Sequence, residues 1–147
     1  MTPGDSAEQA AAPPPETWLL RLPALAEADE QLRFRGRFVS LDCLVGTAAV
    51  PVYLTIANGR VIDAQRGPLL MRPWRFAIRA TPRAWNAFWQ PVPRPGWHDL
   101  FALAKRGEAT IEGEIGPLLA NLQFFKDLLA LPRGRAHEWP PVQEGAA

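Results

Sequence analysis

The chain has 147 residues, 48% of them hydrophobic, and its sixteen basic and fifteen acidic side chains leave a net charge of +1. That length and apolar content belong to one globular domain and exclude disorder or a fibrous architecture, while charges this balanced and scattered exclude the basic field of a nucleic-acid binder. A lone cysteine, Cys43, excludes an intramolecular disulfide and cysteine-rich metal sites; with neither a basic leader nor an apolar run of about eighteen residues, the expected location is cytoplasmic.

Residues 1–16 are Ala, Pro and small polar groups, which bury too little apolar surface to offset the chain entropy lost on ordering, so a flexible tail is expected there. A second tail is expected over residues 133–147, leaving 17–132 as the domain. WLLRLPAL, from Trp18 to Leu25, is apolar but interrupted at Pro23 and predicts a short, broken helix docked on that domain. From Leu32 the spacing is two: Leu32, Phe34 and Phe38 fall on one side, with Gly36 between them, and Arg33, Arg35 and Arg37 on the other. This predicts a half-buried strand continuing through VSLDCLVG. Val52, Leu54 and Ile56 then alternate with Tyr53 and Thr55 up to Asn58-Gly59, a pair whose readiness for positive φ predicts a tight hairpin with VIDAQ returning. After RGPLLMRP, the run WRFAIRA places Trp74, Phe76 and Ile78 on one face of a fourth strand and Arg75 and Arg79 on the other.

Thr81-Pro82 reads as an N-cap with proline at the first helical position, and Trp85, Phe88 and Trp89 follow at helical spacing. QPVPRPG breaks that helix, Trp97, Leu100, Phe101 and Ala104 mark a second, and residues 106–112 alternate as a fifth strand. Pro117 leads into a last helix reaching Leu131. At about 100° per residue its Leu118, Leu122, Phe125 and Leu129 form one stripe, which Phe124, Leu128 and Leu131 widen to about half the circumference. Such width fits a helix with two packing partners, a cavity-lining helix, or one sunk deep in a core. Asn121 falls inside the apolar arc, where its amide must find a partner: a backbone carbonyl, a water, or a polar group of a ligand.

The order of these elements, with Gly107, Ala109, Ile111, Gly113 and Glu114, flanked by PGWHDLFALAKRG and LLANLQFFKDLL and preceded by YLTIANGRV, resembles the sterol carrier protein domain over residues 32–131, as a stand-alone bacterial version. The resemblance implies an α+β fold, a five-stranded mixed sheet with helices on one face. It also implies an apolar tunnel for fatty acyl chains, sterols or isoprenoids, with no catalysis and no cofactor. The implied lining is Phe34, Phe38, Trp74, Phe76 and Ile78 from the sheet, Trp85, Phe88, Trp89, Trp97 and Phe101 from the middle helices, and Leu118, Asn121, Leu122, Phe125 and Leu129 from the last. Two departures are visible: Glu108 stands where a lysine is common, and a proline-rich loop with tryptophans separates the middle helices. Bacterial relatives also serve as accessory factors in quinone biosynthesis or occur beside hydrolase domains, so a scaffold for a lipid or quinone enzyme stands as the alternative to a carrier.

The inventory for catalysis is thin. Ser6 and Ser40 are the only serines and neither sits in G-x-S-x-G; His98 and His137 are too few for a histidine-rich metal site; and the glycines at 107, 113 and 116 do not make a dinucleotide loop. Cys43 in an apolar strand reads as packing rather than as a nucleophile paired with His98. Arg33, Arg35 and Arg37, with Arg75 and Arg79, are expected to share the sheet face away from the helices, either as a solvated surface or as a docking face for an enzyme partner or an anionic membrane.

Overall fold

Alternating apolar and polar residues produce five strands between Leu41 and Gly113: β1 (Leu41–Gly46), β2 (Pro51–Ala57), β3 (Arg60–Arg66), β4 (Phe76–Ala80) and β5 (Ala109–Gly113). In the computed structural model, which describes residues 13–135, they form a single sheet in the order β3-β2-β1-β4-β5. The central β1–β4 pair is parallel and every other neighbour is antiparallel, so the sheet is mixed. Its register pairs Cys43 with Leu54, Val45 with Ile78, and Ile78 with Ile111. Since successive side chains point to opposite faces, Cys43, Val45, Leu54, Ile56, Phe76 and Ile78 share one face. Asn58 and Gly59 close the β2–β3 hairpin at φ 52° and 83°. Gly59 is required twice over, because a Cβ there would also stand 2.6 Å from the Arg33 carbonyl oxygen and from Gly36.

The helices are α1 (Pro15–Leu19), α2 (Leu22–Glu27), α3 (Glu30–Arg35), α4 (Pro82–Phe88), α5 (Leu100–Lys105), α6 (Ile115–Ala120) and α7 (Leu122–Leu129). Their apolar sides meet the Cys43–Val45 face of the sheet in one buried cluster, with Leu19, Leu22, Leu54, Phe76, Ile78, Trp85, Leu103, Leu118 and Leu128 essentially inaccessible. The opposite face carries a smaller cluster of Leu44, Tyr53 and Ala77, against which Leu69 and Trp74 of the β3–β4 connection pack. Helices therefore lie on one face of a five-stranded mixed sheet, and a single loop crosses the other.

Four local expectations are revised. WLLRLPAL does break, but into two helices, and Pro23 sits in the first turn of α2, where its missing N–H costs nothing, rather than at the interruption. Residues 30–35 are helical rather than extended. The Asp29 carboxylate accepts from Leu32 N at 3.0 Å, Glu30 occupies the first turn and Arg33 and Arg35 the last, an order that suits the helix dipole, and Gly36 ends the turn. Trp74 does not share a face with Phe76 and Ile78, because β4 begins only at Phe76 and the indole lies with Leu69 on the outer side. The long last helix is two helices. At Asn121 (φ −126°, ψ 35°) the backbone leaves the helical region, and the side-chain Nδ2 donates to the Pro117 carbonyl oxygen at 3.0 Å. The remainder of the expected tails, residues 1–12 and 136–147, lies outside the described residues.

Candidate functional site

Twelve of the fifteen residues singled out from the sequence gather between the sheet and the helices. Phe76 and Ile78 form part of the floor and are fully buried. Trp85, Phe88 and Trp89 come from α4 and the residue after it, whose start is fixed by Thr81 Oγ1 accepting from Ala84 N at 3.1 Å. Leu118 is the buried residue of α6, and Phe125 and Leu129 descend from α7 with Phe124 and Leu128 beside them. Trp97 is buried ahead of α5, while Phe101 and Leu122 are half-buried against the same cluster. Asn121 is half-buried at the break, and of the partners open to its amide a backbone carbonyl takes it.

The rings contact one another in specific geometries. Phe125 meets Phe76 edge-on at 5.0 Å and Phe124 edge-on at 5.1 Å, and Trp85 stacks on Trp89 at 5.0 Å while meeting Phe88 edge-on at 5.9 Å. Both buried indole donors of α4 are spent on backbone: Trp85 Nε1 donates to Gly46 O at 2.9 Å and Trp89 Nε1 to Leu129 O at 2.7 Å. The second bond ties the end of α7 to the end of α4. Arg133 closes the same corner, its Nε donating to the Phe88 carbonyl at 2.8 Å and its guanidinium lying 4.7 Å from the Phe88 ring; burial pulls its pKa down. Trp97 is ringed by the guanidiniums of Arg83, Arg94 and Arg106, each about 5 Å from the indole.

A cleft of about 360 Å³ borders this cluster where the ends of β1, β4 and β5 meet. Ala80 and Ala109 belong to both the cluster and the cleft wall, and Thr47, Ala48, Pro82, Gly107 and Glu108 complete much of the lining. Glu108 is the one acidic group in that wall. Its pKa is held below the usual carboxylate range, chiefly by the Thr81 hydroxyl, which donates to it at 2.8 Å, and further by Arg83. A lysine at this position would meet Arg83 with like charge, so the departure at Glu108 is matched by its surroundings.

Phe34 and Phe38 stand apart from the site. They are 65% and 84% exposed, on α3 and on the segment before β1, with the Arg37 guanidinium 4.0 Å and 4.7 Å from their rings. Trp74 lies on the other side of the sheet, below Arg79. The shared arginine face does not form either: Arg33 and Arg35 belong to α3, Arg35 pairs with Asp127 of α7, Arg75 with Glu114 and Arg79 with Glu112. Trp18, Leu19 and Leu22, which with Ala26 bury α1 and α2 in the same cluster, were visible only as an apolar run.

Little here is arranged for covalent chemistry. The Cys43 thiol is fully enclosed, and burial, assisted by the Asp42 charge, pushes its pKa far up, so it stays protonated. His98 is exposed and lies outside that enclosure. Among the described residues no group of three or more His, Cys, Asp or Glu side chains is placed to hold a metal ion, and no helix is long and apolar enough to cross a membrane.

The five-stranded mixed sheet covered on one face by short helices is a fold this chain shares with sterol carrier protein 2. A crystal structure of sterol carrier protein 2 matches 80% of this chain and 95% of its own length, with a TM-score of 0.62 and 18% identity. A solution structure of a Thermus thermophilus protein described as possibly a sterol carrier protein matches 81% of the chain and 89% of its own length, with a TM-score of 0.56 and 14% identity. A ubiquinone synthesis protein, UbiJ-SCP2, matches 78% and 84% respectively, with a TM-score of 0.50 and 16% identity. No protein-family model and no curated protein sequence matches the chain.

Proposed function

We propose that the protein binds or transfers an apolar small molecule, a fatty acyl, sterol or isoprenoid lipid, without chemical conversion. The observation that carries this reading is the continuity between the aromatic cluster and the cleft at Ala80 and Ala109. A concavity of about 360 Å³ lies within the range that ordinary small-molecule sites occupy, and apolar walls with a few polar groups at the rim are their usual chemistry. Opening of the helical layer beside Ala80 and Ala109 would lengthen the cleft into the cluster, where Phe76, Ile78, Trp85, Phe88, Trp89, Trp97, Phe101, Leu118, Leu122, Phe125 and Leu129 would line a tunnel. The fold shared with sterol carrier protein 2 agrees with this role.

Saturable changes in tryptophan fluorescence on titration with acyl, sterol or isoprenoid probes, together with lipid recovered by organic extraction of freshly purified protein, are the expected results. The absence of both leaves the second reading, an accessory subunit of a lipid or quinone biosynthetic enzyme. That reading has its own observation, the Phe34–Arg37–Phe38 patch beside an open groove walled by Glu30, Gln31 and Arg35, and it agrees with the fold shared with UbiJ-SCP2.

A further inference from the structure

The proline-rich loop between α4 and α5, QPVPRPGW from Gln90 to Trp97, stands outside the lining of the cleft. Its last four residues, Arg94-Pro95-Gly96-Trp97, close a turn: Trp97 N donates to Arg94 O at 2.9 Å, and Gly96 holds φ at 87°. Proline in the second position and a positive-φ glycine in the third are the residues a type II turn favours, so the sequence sets this turn locally. The turn places the Arg94 guanidinium 5.2 Å from the centre of the indole that ends it. Arg106, just after α5, reaches the same ring at 5.0 Å, and its guanidinium lies against Gly96, where a Cβ would stand 2.6 Å from Nη2. Arg83 of α4 is the third, at 5.2 Å. No two of these guanidinium carbons are therefore more than about 10 Å apart.

Cations gathered this closely repel one another unless anions offset them, and the nearby carboxylates offset only one. Glu108 pairs with Arg83, Glu112 with Arg79 and Asp99 with Lys126. Among the described residues no carboxylate forms an ion pair with Arg94 or Arg106, and the exposed Lys105 adds a further positive charge at the same end of α5. The surplus lies at the mouth of the cleft: Pro82 and Gly107, the chain neighbours of Arg83 and Arg106, line it together with Glu108.

We propose that Arg94 and Arg106, held beside Trp97, form a head-group site for a phosphate ester whose apolar chain lies in the cleft. This rests on the carrier reading and names the polar end of the ligand. A phosphomonoester or diphosphate carries about two negative charges or more at neutral pH, matching the two unpaired arginines, and its free oxygens can accept from two forked guanidiniums at once. A carboxylate supplies one charge and fewer acceptors. An acidic peptide would meet the same arginines without filling the cleft beside them, walled by Ala48, Ala49, Ala80 and Ala109.

Decyl phosphate and decanol differ only at the head, so their competition against a bound fluorescent apolar probe isolates it. On the full chain at low salt, decyl phosphate is expected to bind at least about tenfold more tightly than decanol, a gap that should close at about 1 M salt. Arg94→Gln combined with Arg106→Gln should narrow the gap to within about twofold, whereas Glu108→Gln, which releases Arg83, should widen it by about threefold or more. A general loss of packing would not move the gap in opposite directions. Both arginines are exposed, so circular dichroism of the double variant should be unchanged. The Nε–H resonances of Arg94 and Arg106 should shift with decyl phosphate and with millimolar inorganic pyrophosphate, and stay in place with decanol. Displacement of the probe by phosphatidylcholine vesicles containing phosphatidate as well would assign the phosphate to a membrane lipid, and displacement by decyl phosphate alone to a soluble ester; either supports the site. Equal affinity for the two compounds, a gap that persists at high salt or in the double variant, or arginine resonances unmoved by pyrophosphate overturns the proposal. If no apolar probe binds while pyrophosphate still moves those resonances, the carrier reading alone fails.

Discussion

Phe125→Ala tests whether the aromatic cluster is a load of packed rings or a surface kept for a ligand. The side chain is 1% exposed and touches Phe76 and Phe124 edge-on, with centroids 5.0 and 5.1 Å away. Truncating a buried phenylalanine removes its transfer free energy and leaves a cavity, together about 3 to 5 kcal/mol. Each lost ring pair contributes about 0.5 to 1.5 kcal/mol beyond area, which places this site toward the upper end of that range. Domains of this size are stable by about 5 to 15 kcal/mol, so the variant should still fold, with a melting temperature lowered by about 10 °C or more. Urea unfolding followed by tryptophan fluorescence measures the shift, and the slope of the transition should stay unchanged. Affinity for an acyl probe is read in parallel below the transition. A destabilisation under about 1 kcal/mol would refute the packing described for this ring. A full loss of stability with unchanged affinity per folded molecule would assign Phe125 to the core and remove it from the tunnel.

Other outcomes follow from single positions. Gly59→Ala should destabilise by about 2 kcal/mol or more, since it adds a Cβ both to a left-handed backbone and against α3, whereas Gly116→Ala, with open space around it in α6, should stabilise by about 0.5 to 1 kcal/mol; thermal melts of the pair check the contrast. Cys43 should resist thiol reagents in the native protein and react only on unfolding, so labelling rate against urea should track the unfolding curve. Glu108 has a folded pKa below its unfolded one, so its contribution to stability is present at neutral pH and is lost as pH falls through the folded value; Glu108→Gln should lower stability at neutral pH and flatten the acid limb of a stability–pH profile.

Where a signal was local and single-valued, the sequence was enough. Asn58-Gly59 can satisfy its backbone in few ways other than a tight hairpin, and Thr81-Pro82 caps a helix by its own chemistry. Residues 30–35 misled because Leu32, Phe34 and Phe38 satisfy a period of two while the competing information, the Asp29 cap with acidic start and basic end, is also present and wins. The break at Asn121 has no periodic signature: one amide reaching back to Pro117 redirects a helix whose apolar stripe runs on unbroken. As for the site, alternation and helical spacing located most of the rings that gather there. They do not distinguish a ring turned toward its neighbours from one turned toward a void, which is decided by contacts such as Trp89 to Leu129 across forty residues of chain.

The parallel contact between β1 and β4 divides the sheet into a three-strand meander that is finished by Arg66 and a later two-strand ribbon that starts at Phe76, and the Arg66–Arg75 loop is the sole covalent link across that line. A protease that cut the exposed Leu70–Met71 bond would therefore separate the chain into two pieces, each with whole strands and its own helices. Those pieces would remain associated through the β1–β4 hydrogen bonds and the shared aromatic cluster, so the molecule is a natural candidate for reconstitution from separately expressed halves.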